Sequence, residues 1–139
     1  PLGLTLLADE KQILKRAELF LALLVGKLNE GRYEGTVIRK VGKPLDAKIS
    51  AATRGMLTVD LGFGGNQVAL QEFAPSWLLA VAHDSLGTAE ASPEIIANAV
   101  CFAWVTGEHE AARQLIAKEG GVSGEFKEMW QRVMTNRPR

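Results

Sequence analysis

Apolar residues recur at Ile13, Ala17, Phe20, Leu24 and Leu28, a spacing of three or four that aligns them along one face of an α-helix. Asp9 stands ahead of this run as an N-cap and Gly31 behind it as a stop, so the pattern predicts one long helix between them. Leu14, Leu19, Leu21, Leu23 and Val25 widen the stripe almost round the helix. A helix of that kind needs cover on several sides, so it is either the central core helix or one that meets a partner. The next stretch, RYEGTVIRKVG (32–42), reads as a second short helix ending before Pro44.

From Leu45 the period changes to two. Leu45, Ala47 and Ile49 alternate with Asp46, Lys48 and Ser50; a turn follows at Thr53-Arg54-Gly55, then Leu57, Val59 and Leu61, then Val68 and Leu70. The string Gly62-Phe63-Gly64-Gly65 invites comparison with a phosphate-binding loop. A dinucleotide fingerprint would need a third glycine at position 67 and a helix starting there, and a P-loop would need Lys followed by Ser or Thr. Neither is present, and Gln67-Val68-Ala69-Leu70 continues as a strand. Taken as a hairpin loop, Gly62–Gly65 sets Leu61 opposite Asn66, Val59 opposite Val68 and Leu57 opposite Leu70, with the apolar residues on one face.

Helical spacing then returns. Ser76 caps WLLAVAHDS, Ser92 with Pro93 opens a helix that Gly107 stops, another helix runs to Gly120-Gly121, and Ser123 starts GEFKEMWQRVM. Phe126, Met129, Trp130, Val133 and Met134 form one apolar face of the last helix. The fold class expected is α+β and mainly helical, with helical hairpins flanking a small three-stranded antiparallel β-meander. Residues 1–139 are read as a single domain, with N-terminal helices over 4–43, the meander over 44–72 and C-terminal helices over 73–135.

Two corners echo each other: Leu28-Asn29-Glu30-Gly31-Arg32-Tyr33-Glu34 and Val105-Thr106-Gly107-Glu108-His109-Glu110. Each resembles the turn of a tetratricopeptide-type helical hairpin, in which a glycine, an acidic residue and an aromatic precede a run ending in alanine. Gly107-Glu108-His109-Glu110-Ala111-Ala112 is the closer match, while Thr36 stands where the repeat favours alanine. The strands between the corners exclude a continuous solenoid, because stacked repeats need adjacent neighbours. The arrangement also resembles accessory regions of large bacterial signalling proteins, including protein kinases. That resemblance implies a non-catalytic module that positions or recruits other proteins, and it transfers no functional residue.

Sixteen basic and sixteen acidic residues cancel, so only a local patch could attract nucleic acid or anionic lipid. Arg39, Lys40, Lys43 and Lys48 are that concentration. The single cysteine excludes an internal disulfide, and two histidines with one cysteine argue against a zinc site. A reducing, cytoplasmic setting follows from the same inventory. LFLALLV (19–25) falls well short of the roughly 20 residues that span a bilayer. The opening PLGLTLLADE lacks an initiator methionine and the layout of a secretory signal; Pro1-Leu2-Gly3 looks like a cleaved-tag remnant and the rest like a piece of a longer protein.

His83-Asp84-Ser85 holds the residue types of a hydrolase triad, but neighbours in sequence point apart and cannot form the relay. Cys101, between Val100 and Phe102, reads as a buried hydrophobe, and Asp46, Asp60, Glu72 and Asp84 as solvated charges. No catalytic, metal or cofactor residue is assigned. Trp104 in VCFAWV is assigned to the core; Phe20, Leu24, Trp77 and Trp130 are the candidate interface residues, although for the two tryptophans, which sit beside polar or charged residues, the core is the favoured reading and an interface the alternative. The leading expectation is a non-enzymatic protein-interaction or scaffolding module with a protein partner, able to pair with a second copy through its first helix. A small nucleic-acid-binding module using residues 39–48 is the alternative, and a hydrolase using His83 or His109 the third reading.

Overall fold

Residues 2–31, 33–53, 55–86, 92–117 and 122–135 are described in a computed structural model, with the side chains of residues 2–6, 31 and 83–86 outside that description. The apolar spacing of the first segment is satisfied by α1, Leu2–Gly31. Strands β1 (Tyr33–Val37), β2 (Leu45–Thr53), β3 (Met56–Asp60) and β4 (Gly65–Ala69) follow, then a single 3-10 turn at Leu70–Glu72. Helices α2 (Pro75–Leu86), α3 (Pro93–Val105), α4 (His109–Ala117) and α5 (Gly124–Thr135) complete the described chain. The fold is α+β, and the antiparallel sheet has four strands in the order β1-β2-β3-β4 where the sequence pattern gave three. The chain groups into two compact units, residues 1–20 with 91–139 and residues 21–90.

The unit of residues 21–90 holds the sheet. Its extra strand is β1, in the stretch read above as a short helix. Tyr33, Gly35 and Val37 stand opposite Ile49, Ala47 and Leu45, while Glu34 and Thr36 stand opposite Lys48 and Asp46 on the other face. That alternation is a period of two with a glycine in the apolar series, which hid it, and the β-branched Thr36-Val37-Ile38 favours an extended chain. The N-terminal corner therefore leads from helix to strand, and no second helix occurs there.

The long strand β2 serves two neighbours: residues 45–49 pair with β1 and residues 48–53 with β3, the latter with a register shift between Ile49 and Ala51. Beyond β1, an antiparallel bridge joins Arg39 to Phe73. The Lys40 amide donates to the Glu72 carbonyl at 2.9 Å and the Ala74 amide to the Ile38 carbonyl at 3.0 Å. The chain after β4 is thus tied back to the segment that follows β1, and Val37, Ile49, Leu57 and Phe73 are all buried in this unit.

The unit of residues 1–20 and 91–139 is helical. The Ser92 hydroxyl accepts the Ile95 amide at 3.3 Å and the Ser123 hydroxyl the Phe126 amide at 3.2 Å, so both serines cap as expected. Asp9 does not. Helix α1 begins well ahead of it, and Asp9 is buried, accepting Nε and Nη2 of Arg132 at 3.1 Å each. Its residue type suits a helix start, but it is the inner half of an ion pair, which holds the Arg132 guanidinium above its ordinary pKa through that hydrogen bond. Cores form from Ile13, Ala17 and Phe20 with Val100, Cys101, Phe126 and Val133.

Candidate functional site

The candidate interface residues lie inside. Phe20 stacks on Phe102 with centroids 4.6 Å apart, and Leu24, four residues on in α1, is also buried. Trp77 stacks on Phe73 at 5.2 Å, meets Tyr33 edge-on at 5.7 Å and donates its indole N–H to the Thr36 carbonyl at 2.8 Å. Trp130 is buried against Phe126 and Trp104, at 5.9 and 5.4 Å. The polar sequence neighbours of Trp77 and Trp130 leave both rings buried, because adjacent residues on a helix are turned about 100° apart. The tryptophan assigned to the core, Trp104, is the half-buried one.

Trp104 lines a groove in the helical unit. The Glu108 amide donates to the Ala103 carbonyl at 2.7 Å and the Gly107 amide to the Trp104 carbonyl at 3.1 Å, the paired bonds of a Schellman stop, with Gly107 at φ 90°. This turn returns the chain so that the His109 ring stacks on Trp104, centroids 4.1 Å apart and 21° between planes. Glu10, Ile13 and Leu14 of α1, Val105 and Val133 complete a cavity of about 590 Å³. Leu14 and Val105 stand 54% and 46% exposed at its margin. The arrangement offers an aromatic wall, aliphatic flanks and one carboxylate, which suits one or two large side chains of another chain.

A second surface belongs to the sheet unit. The hairpin between β3 and β4 is a loop, as the sequence argued, but Asp60 pairs with Gly65, so the loop is Leu61–Gly64 and Val59 faces Asn66. Two causes set this register. The Asp60 carboxylate accepts the Gly62 amide at 2.7 Å, and Gly65 lies so close to the Thr58 methyl that a Cβ there would collide with it. Gly62 and Gly64 take positive φ values of 105° and 100° on either side of Phe63, which is 96% exposed. Nothing in the apolar periodicity marks Phe63; its place between two turn glycines was the available signal.

The basic run divides. Lys48 reaches Glu34 at 3.9 Å on the outer face of the sheet and lies opposite Asp60 on β3. Arg39, Lys40 and Lys43 remain in the connection between β1 and β2, where Lys40 and Lys43 are exposed. Arg39 is half-buried over Gly42; a Cβ at Gly42 would approach its Nη2 to 2.8 Å. Beside them Val41 is 83% exposed.

His83, Asp84 and Ser85 fall in α2 with side chains outside the described residues. Cys101 is fully buried and burial pushes its thiol pKa up to about 12, against a smaller lowering by Arg16. Among the described residues no cluster of three His, Cys, Asp or Glu could hold a metal ion, and no helix is long and apolar enough to cross a membrane. Compared with protein-family models, curated proteins and solved structures, the chain matches none.

Proposed function

We propose that this chain is a non-catalytic interaction module that recruits a protein partner, as an accessory part of a larger signalling protein. The observation that carries the reading is the groove walled by the Trp104–His109 stack and bordered by exposed Leu14 and Val105. A groove with aliphatic flanks beside an aromatic wall seats an anchor side chain from a partner helix or extended segment. Its test is capture from native lysate on the immobilised chain, repeated at high salt, beside a Leu14→Ser/Val105→Ser variant that keeps the wild-type thermal midpoint. A salt-resistant partner retained by the wild type and lost by the variant is expected. Equal retention by both would overturn the groove as the binding surface.

Self-association through α1 is a second reading, favoured by Leu7 and Leu14, which are exposed and seven residues apart, hence on one stripe. Sedimentation velocity across a wide concentration range decides it: a constant monomer mass removes the reading.

A further inference from the structure

We propose that the sheet unit docks on an anionic membrane surface through the connections 38–44 and 61–64, with Phe63 as the inserted side chain. In an antiparallel meander the β1–β2 and β3–β4 connections leave the same end of the sheet. At that end stand Ile38, Val41, Leu61 and Phe63, half of the large apolar side chains that are exposed among the described residues. The same two connections carry Arg39, Lys40 and Lys43 and no acidic residue, in a chain whose total charge is zero. Asp46 and Glu72 flank them from β2 and the 3-10 turn, and the Asp60 carboxylate is turned onto the Gly62 amide.

Shape favours lipid over protein. Phe63 projects almost free of protein contact, so a protein partner would have to supply the whole pocket, whereas the headgroup and acyl boundary of a bilayer accepts a projecting ring without a matched cavity. The tip is set before it binds, since the Asp60–Gly62 hydrogen bond and two positive-φ glycines hold the turn, and little ordering remains to be done. Either signal alone gives weak, reversible attachment; an apolar anchor together with cations gives stable attachment. The basic run and the glycine-rich turn, separate in sequence, then serve one surface.

The test is co-sedimentation of the whole chain with vesicles of phosphatidylcholine containing about a third phosphatidylserine, against phosphatidylcholine alone. Binding to the anionic vesicles that falls with added salt is expected. Lys40→Ser and Lys43→Ser should each weaken it about fivefold. Phe63→Ser should abolish it with an unchanged thermal midpoint, because the ring touches almost nothing in the fold. In Phe63→Trp, emission should shift to the blue with anionic vesicles and be quenched by brominated acyl chains, a readout at the tip itself. No binding to anionic vesicles overturns the proposal, as does binding indifferent to Phe63→Ser. Capture of a single-stranded oligonucleotide in place of vesicles would also overturn it and assign the cations to nucleic acid. None of these outcomes touches the groove of the helical unit, so the two readings fail separately.

Discussion

Asn29 extends the sheet from a helix, and its removal has a calculable consequence. The β1 ladder reaches β2 only as far as Ile49, so further along β2 the side that β1 would cover is unpaired by strand. At Ala52, which is 3% exposed, the Asn29 side chain supplies what a further strand residue would: its Oδ1 accepts the Ala52 amide at 2.7 Å and its Nδ2 donates to the Ala52 carbonyl. Asn29→Ala orphans both groups. Each buried orphan costs about 1–3 kcal/mol, and because Asn29 itself is exposed, water moderates the sum toward the lower end. Alanine returns about 0.5 kcal/mol of helix propensity to α1. The net loss expected is about 1.5–2.5 kcal/mol, read as a lower urea midpoint at constant m value and faster hydrogen exchange at the Ala52 amide. Glu30→Ala, one residue on and exposed, controls for the helix alone and should stay within about 0.5 kcal/mol. If Asn29→Ala matches that control, the side chain is not completing the sheet and the reasoning fails.

Three further expectations follow from particular contacts. The Cys101 thiol should resist Ellman's reagent in the folded protein and react on unfolding; with its folded pKa raised from 9.0 to about 12, its contribution to stability is complete below the unfolded value and is lost as pH rises from there through the folded one. Thermal midpoints measured through that window should therefore fall more steeply for the wild type than for Cys101→Ala. Gly107→Ala should destabilise by about 1–2 kcal/mol by chemical denaturation, because a Cβ strains the φ of 90° at the Schellman stop although open space surrounds it. Ser92→Ala should cost about 1 kcal/mol in the same assay by freeing the Ile95 amide at the start of α3.

The parts of the fold that were legible were those whose signal is local. Ser92-Pro93 and Ser123 announced α3 and α5 because a cap is made by a residue and its next turn, and Gly107 announced a stop because positive φ is a property of one residue. The α1 stripe was legible for the same reason. Strand β1 was not, since Gly35 removes one member of its alternating series and pairing with residues 45–49 cannot be seen from within five residues. Asp9 shows the limit from the other side: its residue type fits a cap, and only Arg132, 123 positions away, reveals it as half of a buried pair. The β3–β4 register is two residues off the sequence reading, Val59 facing Asn66 in place of Val68, because the Asp60–Gly62 hydrogen bond starts the loop one residue earlier and Gly65 fits closely against Thr58 across the ladder.

The site was harder to read because exposure follows from the whole fold while hydrophobicity is a property of the residue. Polar neighbours in sequence make Trp77 and Trp130 candidate anchors beside the core reading, yet a helix separates neighbours by about 100° and both rings are buried among those polar residues. A hairpin tip behaves in the opposite way: its side chains have no sheet to cover them, so an apolar residue there is exposed by construction. Phe63 held between Gly62 and Gly64 is such a residue. Folding alone gives no reason for an aromatic ring at that point, because a ring 96% exposed adds almost nothing to the core. Polar residues would make the same turn, with Asp60 still holding the Gly62 amide. On the membrane-docking proposal the ring is the apolar anchor, and the cations on the neighbouring connection set the sign of charge of the surface it meets.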